Sequence, residues 1–384
     1  MTISRTVMAS CLSAAMLIMW PATAMAYSFG ALSQSDAVTT LPAYYEFTKT
    51  VTLTNSGRAA ALNVKADVVL LAPPSAYAHV TLTGYSKEPN STFADPNNNL
   101  IGVYTWPDLK PHQSVTITLH YQATSSDISY HLPKTYSPYN IHSKIYREYT
   151  NPKLDPRQID TDAPAIVKLD KKLVGSLSNP YQRAHVLFNW VAYHIHYNYS
   201  LKASGSALAT LKSRLGICSD FVDLYVSLLR TDHIPAQLIG GYVTNNGAGQ
   251  GGFHQWVEFY LPHAGWVVAD PTWGRYGYFA ALQDDWHIPL YDGIRPDISV
   301  NWEYAKTANG TTPELSIHYH YHFVTEQSPV PTRQVKLPII SVTPPVAQHH
   351  AKVFAGQVLS TDWQRLRTFL RQYFIRMRIA LLSL

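Results

Sequence analysis

The sequence predicts an α+β chain in which an immunoglobulin-like β-sandwich precedes a domain with helices first and antiparallel strands second. Three observations carry that expectation. Short β-rich runs separated by turn residues fill the stretch from Tyr44 to about Tyr121. Helical periodicity then runs from Asn179 to Arg230, and strand-like runs return between Gln237 and Ala269.

The sandwich is expected over 27–125. Thr48–Thr54 stops at Asn55-Ser56-Gly57, Leu62–Leu70 stops at Pro73-Pro74, and Ser114–Tyr121 alternates cleanly between apolar and polar residues. Strands at that spacing with Pro and Asn breaks suit two packed antiparallel sheets. No chemical constellation is visible there. Residues 126–165 are rich in Tyr, Pro and Asp without a sustained period and read as a connecting segment.

Helices open the second domain, expected over 166–325. Asn179-Pro180-Tyr181-Gln182 has the form of a helix start, with Asn as cap and Pro in the first turn. Ala184, Leu187, Phe188, Val191 and Ile195 then fall on one face. A short helix is expected over 207–211, broken by Gly216. From Phe221 to Leu229 the next helix is apolar almost all round, as a helix buried on every side must be, and Ile234-Pro235 ends it. Strands follow at 237–243, 253–261 and 266–269, and 315–323 is read as one more.

The first 26 residues read as a secretory signal: Arg5, an apolar run from Leu12 to Trp20, then Ala24-Met25-Ala26. Export would place the mature chain where cysteines normally pair. Cys11 would leave with the signal, so Cys218 would stand alone. Its place at the start of a buried helix gives that thiol a role. Unpaired N–H groups and the positive end of the helix dipole favour thiolate over thiol, and the same N–H groups can receive an oxyanion. His254 and Asp270 lie on neighbouring expected strands, so a carboxylate can reach the imidazole and fix its tautomer.

Three blocks around these residues resemble the core of the transglutaminase-like superfamily of papain-type thiol enzymes. Ser206–Leu211 with Arg214–Phe221 is similar to the nucleophile block. Leu228-Leu229-Arg230, Ile234-Pro235-Ala236 and Gly240-Gly241-Tyr242 match its continuation. His254-x-Trp256-x-Glu258 and Gly265–Thr272 match the histidine and aspartate blocks. The blocks span about 180–275, a quarter of the chain, and the preceding sandwich also resembles exported bacterial members. The resemblance implies a papain-like core of helices on an antiparallel sheet, with Cys218 as nucleophile, His254 as proton shuttle and Asp270 as its orienter. It implies a thioester acyl-enzyme formed on a peptide carboxamide and passed to an amine or to water, and neither cofactor nor metal. Tyr197 is the candidate second oxyanion donor, and Trp256, Glu258 and Trp273 are candidates for shaping the cleft. Ser219 follows the nucleophile where relatives commonly carry a basic or aromatic residue, which bears on substrate preference. Two other readings stand beside acyl transfer: a cysteine peptidase or amidase using the same triad, and a non-catalytic cell-surface binding or scaffolding protein.

His318, His320 and His322 alternate along 315–323, so their imidazoles share one face. Three such residues span about 13 Å, too far for one ion, and an exposed polar face is expected. Residues 326–358 read as a Pro-rich linker and 359–384 as a basic amphipathic helix with five arginines against one aspartate. That helix could attach to an anionic membrane surface or a cell-wall polymer. It also carries most of the net charge of +5, which leaves the body nearly neutral and gives no electrostatic support for nucleic acid as a partner. The expected substrate is protein or peptide, met in the periplasm, at the cell surface or outside the cell.

Overall fold

The computed structural model describes residues 37–39, 42–152, 159–244, 251–293, 298–305 and 310–326. The expected signal peptide and the 359–384 helix lie outside the described residues, as does all of the linker beyond Glu326. In chain order, the first strands are β1 (Ala37–Thr39), β2 (Ala43–Asn55), β3 (Ala61–Leu71), β4 (Ala78–Tyr85), β5 (Ser91–Ala94), β6 (Leu100–Leu109), β7 (Ser114–Ser125) and β8 (Ile128–Tyr130). Helices α1 (Lys144–Tyr149), α2 (Pro164–Val174) and α3 (Pro180–His194) follow, then β9 (His196–Tyr197), α4 (Ala207–Ser213), β10 (Leu215–Gly216) and α5 (Cys218–Thr231). The chain returns to sheet in β11 (Ala236–Val243), β12 (Gly252–Leu261), β13 (Gly265–Ala269), β14 (Ala281–Leu282), β15 (His287–Asp292), β16 (Ile298–Glu303) and β17 (Leu315–Glu326).

Two four-stranded sheets form the sandwich, in the orders β17-β2-β7-β4 and β16-β3-β6-β5. Alternation along β2 sends Tyr45, Phe47, Val51 and Leu53 inward, beside Ile117 and Leu119 of neighbouring β7 and against Val64 and Val68 of β3 in the other sheet, while Thr48, Thr50, Thr52 and Thr54 point out. The expected boundaries need one correction. The strand at 315–323 does not extend the sheet of the second domain; β17 pairs antiparallel with β2 from Leu315↔Asn55 to Glu326↔Tyr44, and β16 pairs with β3. The sandwich is therefore completed by strands that come after the α+β core, and that core is inserted between β8 and β16. The physical reason is edge pairing: β2 and β3 each have an open side that a returning strand satisfies with a full ladder of hydrogen bonds. His318, His320 and His322 are exposed on the outer face of β17, as the alternation predicts.

The core is built around α5, which is buried from Asp220 to Arg230. It packs against Ala184, Leu187, Phe188 and Val191 of α3 and against Val257, Phe259 and Leu261 of β12. Asn179 caps α3, accepting from the Tyr181 and Gln182 N–H groups at 3.0 and 3.3 Å. The sheet runs β13-β12-β11-β15 and is antiparallel throughout. The connecting segment expected to lack regular structure contains α1, capped by Ser143.

Sandwich and core share side chains. The Phe323 ring stacks on Phe47 at 4.4 Å and on Tyr242 of β11 at 4.0 Å between centres. The Trp256 indole N–H donates to the Tyr77 hydroxyl at 2.7 Å.

Candidate active site

The nucleophile's place is set by the loop before α5. Parallel pairing of β9 with β10 puts Tyr197 opposite Gly216. The Asp220 carboxylate, one turn into α5, accepts the Ile217 N–H at 2.8 Å, so it satisfies one of the donors that a helix start leaves open. Its other oxygen accepts the Ser204 hydroxyl and N–H at 2.6 and 2.7 Å. A Cβ on Gly216 would stand 2.5 Å from the Asp220 Cβ, so this turn closes only around glycine. Cys218 begins α5 with its thiol free and half-buried.

His254 sits near the start of β12, and its Nε2 lies 2.7 Å from Asp270 Oδ2. The Cys218 thiol lies close enough to the same ring to help hold its proton. Asp270 ends β13, and its Oδ1 accepts the Thr272 and Trp273 N–H groups at 2.8 and 3.3 Å. The Asp-Pro-Thr-Trp turn thus folds back on its own carboxylate. Burial alone would make His254 neutral, but the Asp270 charge and the hydrogen bonds to Asp270 and Cys218 raise its pKa to about 10. Burial alone would raise Asp270, yet His254 and His287 hold it well below the usual carboxylate range. The arrangement can keep a thiolate beside an imidazolium at neutral pH and return the proton to a leaving group.

Tyr197 is beside the nucleophile, its hydroxyl close to both the Cys218 backbone N–H and the thiol. Burial, followed by the Cys218 charge, drives its pKa far up, so it stays a phenol and a donor. Trp273 stacks on the His254 ring at 5.0 Å between centres and 23° between planes. Trp256 is fully buried behind His254 rather than open to a cleft. Glu258 is not brought to the site. It lies four residues along β12 from His254, about 13 Å away at the rise of a strand, where Gln237 Nε2 donates to it at 3.2 Å.

One group near the triad has no motif in the sequence. His287, the first residue of β15, is fully buried, with Nδ1 2.8 Å from Asp284 Oδ1 and Nε2 3.5 Å from Asp270 Oδ2. Asp284 Oδ1 also accepts the Trp286 N–H at 2.9 Å, and Oδ2 accepts the Tyr278 hydroxyl. Only the pairing of β15 with β11 brings this cluster behind Asp270. The nitrogen and oxygen atoms of His254, Asp270 and His287 lie within 4.8 Å of one another, close enough for one ion. A metal there would take the place of the proton between His254 and Asp270, so it would exclude triad chemistry.

The profile of the transglutaminase-like superfamily matches residues 167–271, a span that runs from α2 to just past Asp270. The Bacillus subtilis protein YebA is 36% identical over 80 aligned positions, covering 16% of this chain and 10% of that one. The chain therefore spans about a tenth of that relative's length. Among solved structures, a cysteine-protease candidate from Cytophaga hutchinsonii is similar with a TM-score of 0.54 at 14% identity, covering 78% of this chain and 96% of that one. That likeness extends over sandwich and core together and shows a shared fold. The periplasmic domain of TgpA from Pseudomonas aeruginosa has a TM-score of 0.32 at 13% identity, covering 63% of this chain and 90% of that one. The segment that holds Cys218, His254 and Asp270 belongs to the transglutaminase-like superfamily.

Proposed function

We propose that this chain is an exported thiol enzyme that forms a thioester on a peptide carboxamide. The observation that carries the reading is the His254–Asp270 contact at 2.7 Å beside a free thiol that begins a buried helix. The Cys218 thiolate attacks the carbonyl carbon and forms a C–S bond. The developing oxyanion is met by the Cys218 N–H at the start of α5 and by the Tyr197 hydroxyl. The C–N bond then breaks, and the departing nitrogen takes the proton held by His254. An amine or a water molecule gives its proton to His254 and attacks the thioester, which releases an amide or an acid and restores the thiolate. Asp270 stays ionised throughout and holds the ring in line.

Transfer to an amine and hydrolysis are two outcomes of one acyl-enzyme. Incubation with a glutamine peptide and a labelled amine, followed by mass spectrometry, separates them. Incorporation that disappears in Cys218→Ala supports acyl transfer, and ammonia release or cleavage without incorporation supports an amidase or peptidase. If wild type does neither and its thiol resists iodoacetamide at neutral pH, the scaffolding reading prevails. Attachment of 359–384 to an anionic surface is a separate proposal. A chain ending near Gln348 should lose co-sedimentation with anionic vesicles, and equal pelleting would sink it.

A further inference from the structure

We infer that His287 is a permanently charged imidazolium that bridges Asp284 and Asp270 and sets the proton affinity of the Cys218–His254 pair from behind. This rests on the thiol-enzyme reading above and adds a fourth and a fifth residue to the line.

The charge state follows from counting donors and acceptors. Asp284 accepts three hydrogen bonds, from the Trp286 N–H, the Tyr278 hydroxyl and His287 Nδ1. An imidazole holds a proton more tightly than a carboxylate does, so the proton on the third contact sits on His287 Nδ1. Were the ring neutral, its Nε2 would present a lone pair to Asp270 Oδ2 at 3.5 Å, with both atoms fully buried and Nε2 without a hydrogen-bond partner. Two facing acceptors in a dry interior repel. A second proton on Nε2 turns that contact into attraction between opposite charges. Burial by itself would push His287 toward neutrality, but the Asp284 charge and the two carboxylate contacts prevail and raise its pKa.

The groups facing this ring come from several elements. They are Asp284 and Tyr278 in the turns before β15, Asp270 after β13, and His254 on β12, whose ring centre is 5.9 Å away. The Trp256 and Trp273 rings seal the remaining sides edge-on at 4.9 and 5.1 Å. The sandwich holds the strand in place: Ser125 Oγ donates to the His287 carbonyl at 2.8 Å, and the Tyr45 hydroxyl to the Asp285 carbonyl at 3.0 Å.

Asp270 Oδ2 is thus shared by two imidazoles, at 2.7 Å from His254 and 3.5 Å from His287. The second cation draws on the carboxylate and repels a proton on His254. His254 therefore binds its proton less tightly than an isolated buried His–Asp pair would, which suits a group that must surrender it to a leaving nitrogen. His287 touches no reacting atom; it is a positioning residue.

The test combines a spectrum with a pH profile. In wild type at neutral pH, ¹⁵N NMR should show both ring nitrogens of His287 protonated. A ring with one unprotonated nitrogen overturns the inference, whether or not Cys218 reacts. Alkylation of Cys218 by iodoacetamide across pH reads the pair itself. His287→Gln leaves Asp284 uncompensated, so the acid limb of the profile should move up by roughly one pH unit. Asp284→Asn lets His287 shed a proton with no change in net charge, and its limb should stay within about half a unit of wild type. A purely structural role would make the two variants alike, and a His287→Gln profile that superimposes on wild type would overturn the inference. Should His287→Gln fail to fold, the wild-type spectrum and the loss of one His287 proton in Asp284→Asn still decide it. A wild-type Cys218 inert to iodoacetamide would instead overturn the thiol-enzyme reading, while the spectrum reports the His287 charge on its own.

Discussion

His254 Nε2 meets Asp270 Oδ2 at 2.7 Å, and Asp270 Oδ1 is held by two backbone N–H groups of its own turn. The carboxylate is therefore fixed before the imidazole reaches it. Its charge, set against burial, keeps His254 protonated up to about pH 10. Because this folded pKa lies above the unfolded value of about 6.5, the pair stabilises the fold fully below pH 6.5 and loses that contribution as pH rises toward 10. Asp270→Asn removes the largest charge that opposes burial and leaves only Cys218 to do so, so the His254 pKa should fall well below about 10. Amide turnover at pH 7 should drop by about 10²- to 10⁴-fold with little change in KM, measured with the peptide that wild type uses.

Gly216 is the next point of sensitivity. Gly216→Ala drives a methyl group into Asp220 and breaks the turn that presents Cys218. The expected outcome is a loss of about 1–3 kcal/mol in stability, together with at least tenfold slower alkylation of Cys218. An unchanged alkylation rate would show that the turn does not tune the thiol.

Phe323 tests the return of the chain to the sandwich. Its ring is stacked between Phe47 and Tyr242, so it ties β17 to both the sandwich and the core sheet. Phe323→Ala should cost about 3–5 kcal/mol, read as a lower midpoint in urea. An exposed substitution on the same strand, His320→Ala, should stay within about 0.5 kcal/mol of wild type.

Asp170 on α2 is buried beside Asp232, and its Oδ1 has no hydrogen-bond partner. Burial first and Asp232 second raise its pKa from 3.8 to about 7, against the pull of Arg183. An acid with a raised folded pKa binds its proton more tightly in the native state, so stability falls as pH rises from about 4 to about 7 and is level beyond. Asp170→Asn should remove that slope and raise stability at pH 8 by about 1 kcal/mol or more, measured by thermal melts at pH 5 and pH 8.

What the sequence determined by itself was local. The cap at Asn179, the all-round apolar pattern of α5 and the glycine before Cys218 each act within a few residues, and they place the nucleophile at a helix start without further help. His254 and Asp270 were legible because their strands are joined by a short turn, which allows few registers. The tertiary structure decided what depends on pairing across long separations. Leu315–Glu326 has the alternation of any half-buried strand, and only the open edge of β2, some 270 residues earlier, assigns it to the sandwich. Glu258 shares a strand with His254, but the rise of that strand carries it away from the site. His287 has no motif and no neighbour in sequence that marks it. It reaches Asp270 because β11 separates β15 from β12 in one sheet, a relation among three strands that no local pattern encodes.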